Sequence, residues 1–381
     1  MGIAELTRNA VHVQPEGALE EKLKLGRPLR VKLGIDVTSP DIHVGRAIPL
    51  QRMRAFQEEG HVGVLIVGDY TTRIGDPSGR SAERPVLSDE EIDRNADTYL
   101  EQAMVVLDPG RTEVRRNGEW LAGLSYADIV RLARTTTVAR ILERDDFEQR
   151  YRAGEPISIS ELLYPLMQGY DSVAVEADVE LGGTDQLYNL LTGRDVMAAY
   201  GLEPQIVLTT PLLVSWDGEK MSSSVGNNIP LRMAPEEQFG RTMRISDDQL
   251  PQWYELVLEQ PPPEGDPLEA KLALARWIVR RSWGEEAAQA AEEHFTRVVR
   301  QGEAPEDLPE LAVDGETVHL PQLLAGAFGE TTSHWRRVID QGGVSADGRR
   351  LEGYDVPATE LDGAVLQAGK RRFVRIRARG P

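Results

Sequence analysis

Apolar and polar residues alternate along "PLRVKLGID": Leu29, Val31, Leu33 and Ile35 fall on one face, and Arg30, Lys32, Gly34 and Asp36 on the other. A period of two predicts a strand. After the polar "VTSPD" comes "HVGRAIPLQRMRAFQEEG", in which Ile48, Met53 and Phe56 recur at near-helical spacing. Pro49 has no N–H to give, so this helix begins little before Gly45 or Arg46, and Gly60 is placed to end it. The nearly continuous apolar run "HVGVLIVGD" reads as a strand covered on both faces, as in a parallel sheet. Strand, helix and strand within about 40 residues make a right-handed βαβ unit.

Ser88 and Glu91 form a capping box for a helix over about 89–107. Residues 120–152 look helical and densely charged, as an exposed or subunit-facing insertion. "SVAVEADVEL" resumes strand character, Gly182 and Gly183 break it, a helix starts at Thr184, and "QIVLTTPLLV" gives another apolar strand. From about Ser246 the pattern is helical alone, in "SDDQLPQWYELVLEQ", "LEAKLALARWIVRRSW" and "EEAAQAAEEHFTRVVRQ". The acidic, proline-bearing "GEAPEDLPELAVDGE" separates these helices from the end of the chain. The fold class is therefore α/β. A doubly wound parallel sheet occupies 1–230, with a helical insertion at about 108–160; a helical domain follows over 231–302, a linker over 303–318 and a small α+β domain over 319–381.

At 381 residues the chain exceeds one compact core. Cysteine is absent, which removes disulfides, thiolate metal sites and cysteine nucleophiles, and six scattered histidines give no structural metal site. "MGIAELTRNAV" lacks a basic start followed by an apolar core, and no apolar run approaches the ~20 residues that span a bilayer. A soluble cytoplasmic protein without membrane association is expected. The net charge of −19 argues against nucleic acid for the chain as a whole. From Leu320 onward, however, ten basic residues stand against seven acidic ones, and six of the ten lie in "KRRFVRIRAR". Bases alternating with Phe373, Val374 and Ile376 predict a basic strand face, fitted to a polyanion.

In an open parallel sheet, ligands bind beyond the carboxyl ends of the strands. Three segments fall there: "DVTSPDIHVGR", "GDYTTRIGDPSGR" and "SWDGEKMSSSVGNN". His43 and Arg46 lie at a helix start, where free N–H groups favour an anion, and Gly45 lets a ligand approach the backbone. Lys220, one of only six lysines, is followed by Met221 and three serines. Alone, that run reads as a flexible linker. Taken together, "HVGR" and "KMSSS" resemble the HIGH and KMSKS motifs of class I aminoacyl-tRNA synthetases. On that resemblance, the lysine reaches the β- and γ-phosphates of ATP while Ser222 and loop N–H groups hold the leaving pyrophosphate.

"LLYPLMQGYD" and "LGGTDQ" are further similar to the amino-acid and ribose motifs of bacterial tyrosyl-tRNA synthetases. "VIDQGGVSADGRR" with "GKRRFVRIR" resembles their C-terminal RNA-binding domain, of a kind shared with a ribosomal small-subunit protein. The likeness spans nearly the whole chain and implies a Rossmann-like catalytic domain followed by an anticodon-binding helical domain. It implies His43, Arg46, Lys220 and Ser222 as catalytic residues, and Asp36, Gly45, Gly183, Asp185 and Lys220 on ATP. Asp171 would accept from the tyrosine phenol, with Tyr164, Gln168 and Asp76 around its ammonium and Gln186 beside it. Lys32 would pair with Asp171 or donate to the substrate oxygen, and Lys370, Arg371, Arg372 and Arg375 would meet RNA. The implied partners are tRNA(Tyr), L-tyrosine and ATP with Mg2+, and a second copy of the chain in a homodimer. Four positions depart from the family pattern: Arg46 for the second motif histidine, Ser223 for the second lysine, Val37 for a common proline, and Lys32 for a phenol-binding tyrosine. A tryptophanyl-type enzyme and a non-catalytic RNA-binding paralogue are the alternatives.

Overall fold

The computed structural model describes residues 2–78, 87–301, 308–369 and 372–379. The chain divides into two compact units, Met1–Met233 with Arg244–Leu274, and Ala234–Met243 with Ala275–Pro381.

The first unit is built on six strands: β1 (His12–Gln14), β2 (Arg30–Ile35), β3 (Val62–Val67), β4 (Thr112–Arg116), β5 (Val179–Gly183) and β6 (Ile206–Thr210). Their order in the sheet is β1-β6-β5-β2-β3-β4, parallel throughout except for β1 against β6. The chain runs outward from β2 to β3 and β4, then returns to lay β5 and β6 on the other side of β2. That reversal opens a crevice at the carboxyl ends of β2 and β5.

Helix α1 (Val44–Glu58) joins β2 to β3. It starts with His43 as N-cap, whose Nδ1 accepts from the Arg46 amide, and it is followed by Gly60 at φ +93°. Helix α2 (Asp89–Val106) carries both hydrogen bonds of the Ser88–Glu91 capping box. Their apolar faces bury Leu50, Met53, Phe56, Ala96 and Tyr99 against Val31, Leu33 and Leu65 of the sheet. Helices α3 (Ile159–Ala174) and α4 (Leu187–Ala199) flank β5 in sequence. Thr184–Gln186 forms a 3-10 turn, so α4 proper begins three residues later than the apolar pattern indicates.

Three boundaries differ from the sequence reading. β4 lies inside the range assigned to a helical insertion; "TEVRR" is an edge strand whose charged side chains hide its period. Residues 244–274, read as part of a separate helical domain, belong to the first unit. The expected linker contains two strands, β7 (Glu310–Asp314) and β8 (Thr317–His319).

In the second unit, Phe239 on Pro235–Thr242 meets Phe295 on Glu285–Phe295 with ring centroids 5.5 Å apart. Further strands β9 (Val344–Ala346), β10 (Arg349–Arg350), β11 (Asp355–Pro357), β12 (Val365–Ala368) and β13 (Arg372–Arg379) complete it. They form a five-stranded sheet in the order β10-β9-β12-β13-β7 and a β11-β8 pair. Leu324, Trp335, Ile339, Leu366, Val374 and Ile376 share its core.

α3 and α4 come close together at Gly169 and Gly193, where neither has a side chain. A Cβ on Gly169 would stand 3.1 Å from the Gly193 Cα and 3.0 Å from Val196 Cγ2. Gly169→Val is therefore expected to destabilise the protein by about 1–3 kcal/mol through overpacking, read as a lower midpoint in urea followed by circular dichroism. A wild-type midpoint would show that the helices do not cross at this residue.

Candidate active site

A cavity of about 250 Å³ opens where the strand order reverses. Of the residues assigned above to catalysis, ATP or tyrosine, every one lines it except Lys32. Three hydrogen-bonded groups make up its polar wall.

The first joins the two loops. Ile229–Leu231, just beyond the serine run, pairs with the segment that starts α1: Val44 N donates to Ile229 O at 3.0 Å and Leu231 N to Ile42 O at 2.8 Å. Lys220 and His43 thereby line one cavity. Lys220 Nζ lies 2.5 Å from Asp185 Oδ2. His43 is buried, and burial, then the charges of Arg46 and Lys220, push its pKa down to about 3. The imidazole is neutral at pH 7. Because Nδ1 accepts from the Arg46 amide, the ring proton sits on Nε2 as a donor. Arg46 Nη1 is buried with no hydrogen-bond partner among the described residues.

The second group surrounds Asp36. Its Oδ2 accepts from the Tyr164 hydroxyl at 3.0 Å and its Oδ1 from Thr71 Oγ1 at 2.8 Å. Gly68 leaves room for the latter bond, since a Cβ there would collide with both Thr71 Oγ1 and Asp36 Oδ1. Asn117 extends the chain of bonds, donating to Thr71 Oγ1 at 3.0 Å and to Asp171 Oδ2 at 3.3 Å. Trp120 Nε1 donates to Asp171 Oδ1 at 2.8 Å. Burial pushes the Asp171 carboxyl up to about 7, against the pull of Lys32 and of these two donors. In the third group, Asp76 accepts from Gln186 Nε2 at 2.7 Å and from Ser78 N at 2.9 Å.

Lys32 requires a correction. Alternation places it on the polar strand face, but that face is covered and the side chain is fully buried. Its amine meets Glu180 Oε1 at 2.8 Å, Gln168 O at 2.8 Å and Ser172 Oγ at 2.7 Å, which occupies all three donors. None remains for a substrate oxygen or for a hydrogen bond to Asp171; the cation reaches Asp171 only through its field.

Asn117, Trp120 and Glu180 were not found by sequence reasoning. The first two follow an edge strand with no apolar period, and Glu180 sits in a run that reads as an ordinary buried strand. The residues assigned to RNA belong to the second unit, and Lys370 and Arg371 lie outside the described residues. Arg372 pairs with Glu330 at 3.3 Å and stacks over Trp335, and Arg375 donates to Gly363 O at 3.1 Å.

Residues 24–300 match the family described as tRNA synthetases class I (W and Y). The chain belongs to this family. Among its relatives, a Moorella thermoacetica protein named tyrosine–tRNA ligase is 47% identical over 97% of this chain and 94% of its own length. A Thermotoga maritima protein of the same name is 46% identical over 97% and 96%. The solved tyrosyl-tRNA synthetase of Archaeoglobus fulgidus, complexed with L-tyrosine, shares the synthetase fold at 23% identity with a TM-score of 0.60, covering 76% of this chain and 98% of that one. The C-terminally truncated mitochondrial enzyme of Aspergillus nidulans does so at 22% identity and 0.62, covering 77% and 91%.

Two departures from the synthetase motifs have local causes. Val37 uses its N–H to donate to Thr72 Oγ1 at 3.1 Å, which a proline could not do. Ser223 Oγ accepts from Asn228 Nδ2 at 3.3 Å and so helps to fold its own loop.

The Asp171 carboxyl binds a proton in the folded chain between its ordinary value of 3.8 and about 7, where the unfolded chain has released it. Stability contributed by this residue therefore falls as pH rises through that window and is flat above it. The difference in unfolding free energy between wild type and Asp171→Asn is expected to move against the wild type from pH 4 to 7, whatever its offset. Urea titrations of both proteins at several pH values check this; a constant difference would refute the raised pKa.

Proposed function

We propose that the chain is a tyrosine–tRNA ligase, which activates L-tyrosine with ATP to tyrosyl-adenylate and pyrophosphate and transfers the tyrosyl group to the 3′ end of tRNA(Tyr). The observation that carries this is the convergence of "HVGR" and "KMSSS" on one cavity that also holds the buried Asp171. Relatives named tyrosine–tRNA ligase at 44–47% identity over nearly the whole chain support the same reading.

In the first step the tyrosine carboxylate attacks the α-phosphorus in line, and the bond to the bridging oxygen of pyrophosphate breaks. The nucleophile is already ionised, so no general base is needed. The work of the site is positioning and charge stabilisation. Neutral His43 donates through Nε2, Arg46 and Lys220 bring positive charge, and Ser222 adds a hydroxyl on the same loop. Asp36, Gly45, Gly183 and Asp185 face the adenosine and ribose. Magnesium arrives with ATP as part of that substrate. In the second step a ribose hydroxyl of the tRNA attacks the adenylate carbonyl and AMP leaves.

Asp171, with Trp120 and Asn117 fixing its oxygens, accepts from the substrate phenol. Phenylalanine would leave that carboxyl without its partner. Tyrosyl-tRNA synthetases that reject phenylalanine in this way discriminate by ~10⁵. Tyr164, Gln168, Asp76 and Gln186 surround the amino-acid backbone. Arg372 and Arg375, with Lys370 and Arg371, belong to an RNA-binding module in the second unit. A cytoplasmic location is part of the same reading; no helix among the described residues is long and apolar enough to cross a membrane.

Amino-acid-dependent ATP–pyrophosphate exchange tests the reading. Tyrosine, and not tryptophan, is expected to support exchange, and Asp171→Ala to reduce it at least about a hundredfold. Exchange with tryptophan alone, or near-normal rates in Asp171→Ala, would refute the specificity.

The homodimer has its own support. Tyr126 and Ile159 are 83% and 76% exposed, and Val130, Val138 and Tyr151 are exposed around the same helical insertion. A contiguous apolar patch marks an interaction surface, and the reading places the contact between the two chains on this insertion. Tyr126→Asp with Ile159→Asp is expected to convert a particle of two chains into one of a single chain by light scattering. A wild-type chain that is already monomeric would remove the assignment.

A further inference from the structure

Lys32 and Glu180 stand opposite each other in the β2–β5 register, and both are fully buried at 0% exposure. An ion pair at this depth gives little net stability, because removing both charges from water offsets their attraction. Its reason lies in what else it holds. Glu180 Oε1 accepts from Gln168 Nε2 at 3.1 Å, and Oε2 from Ser172 Oγ at 3.2 Å and from Gln205 Nε2. With the Lys32 amine, these fill about the four lone-pair sites of a carboxylate. Gln168 is the member of this network that lines the cavity.

A carboxylate paired with an ammonium offers only acceptors, so an amide that meets it must present its NH2. The oxygen of Gln168 is then turned away from Glu180, and it makes no hydrogen bond among the described residues. Asp36 and Asp76 add two more acceptor groups to the same cavity. Such a wall suits a cation. Were the amide free to flip, its NH2 would face that cation, donor against donor.

We propose that Glu180, held by Lys32, is a positioning residue for substrate selection: it fixes the Gln168 amide with its oxygen toward the cavity, where it accepts from the α-ammonium of the amino acid. This rests on the tyrosine-ligase reading and explains why the family's phenol-binding tyrosine is replaced here by a buried lysine. The pair acts on the ammonium end of the substrate rather than on the phenol.

The test compares two ligands of the full chain by calorimetry: L-tyrosine, and 3-(4-hydroxyphenyl)propanoate, which keeps the phenol and carboxylate but lacks the ammonium. In Glu180→Gln the preference for tyrosine over the propanoate is expected to fall about tenfold or more, the worth of one charge-assisted hydrogen bond. Affinity for the propanoate should stay within about twofold, because its groups never met Gln168. Equal loss of both ligands would reveal a merely structural role and overturn the proposal, as would an unchanged preference. Lys32→Met with Glu180→Met replaces the ion pair by apolar side chains of similar length, a change that buried pairs tolerate. It is expected to lose the same preference, and it decides the matter if Glu180→Gln does not fold. Wild-type chain that supports no tyrosine-dependent pyrophosphate exchange would instead overturn the ligase reading.

Discussion

β2 and β5 lie side by side in parallel because the chain reverses across the sheet between them, and at that seam Val31 faces Val179 and Lys32 faces Glu180. The seam is held at two levels. At its amino end Asp178 accepts from Arg27 at 2.7 Å, from Arg30 N at 2.9 Å and from Lys22 at 3.3 Å. Burial alone would raise the Asp178 carboxyl, but Arg27, the Arg30 amide and Lys22 hold it below its ordinary value. In the middle stands the Lys32–Glu180 pair. Beyond that pair the β2–β5 ladder stops, and the strands border the cavity with Asp36 on one side and Gly183 and Asp185 on the other. A one-residue slip of β5 would leave two charges buried apart and unpaired, which costs several kcal/mol. The polar pair thus specifies the register on which the spacing of the site depends.

The basic side of the cavity follows a different rule. The chain carries a net charge of −19, yet Arg46, Lys220 and a helix start converge beside His43. In that company a histidine cannot keep its proton, and burial together with the two cations empties it. Positive charge at the site is therefore carried by guanidinium and ammonium, while the imidazole is left neutral with its Nδ1 already accepting from the Arg46 amide. Arginine in place of the second motif histidine fits this division, since it sets a planar cation beside an already neutral imidazole.

The order of strands and helices around the site was legible because each has a period. "PLRVKLGID" and "HVGVLIVGD" announce β2 and β3, Ser88 with Glu91 announces α2, and motif spacing locates Asp36, His43 and Lys220. What was not legible is what tertiary covering decides. Lys32 obeys the alternation of an exposed polar face, and only the placement of α3 over that face, with Gln168 and Ser172 at hand, turns it into a buried residue. β4, Asn117 and Trp120 were lost because an edge strand shields one face only and its charges break the period. The β7 and β8 strands were hidden in an acidic, proline-bearing stretch whose composition suggests a linker.

The serine loop is far less free than its composition implies. Asn227 is buried; its side chain accepts from Ser222 N at 2.8 Å and donates to Asp217 at 2.8 Å and to Lys220 O at 3.2 Å, and its carbonyl accepts from Ser215 Oγ. Met221, also buried, donates from its backbone to Leu213 O at 2.9 Å, so the backbone on both sides of Lys220 is tied down. Immediately after the loop, the bonds between Ile229–Leu231 and Ile42–Val44 close the segment against the start of α1. What this arrangement leaves free is the Lys220 side chain itself, half exposed and resting on Asp185. Under the proposed function, arrival of a triphosphate then requires the ammonium to exchange one anionic partner for another. Such an exchange demands little new order from the backbone, and so most of the attraction between lysine and phosphate remains available for the transition state.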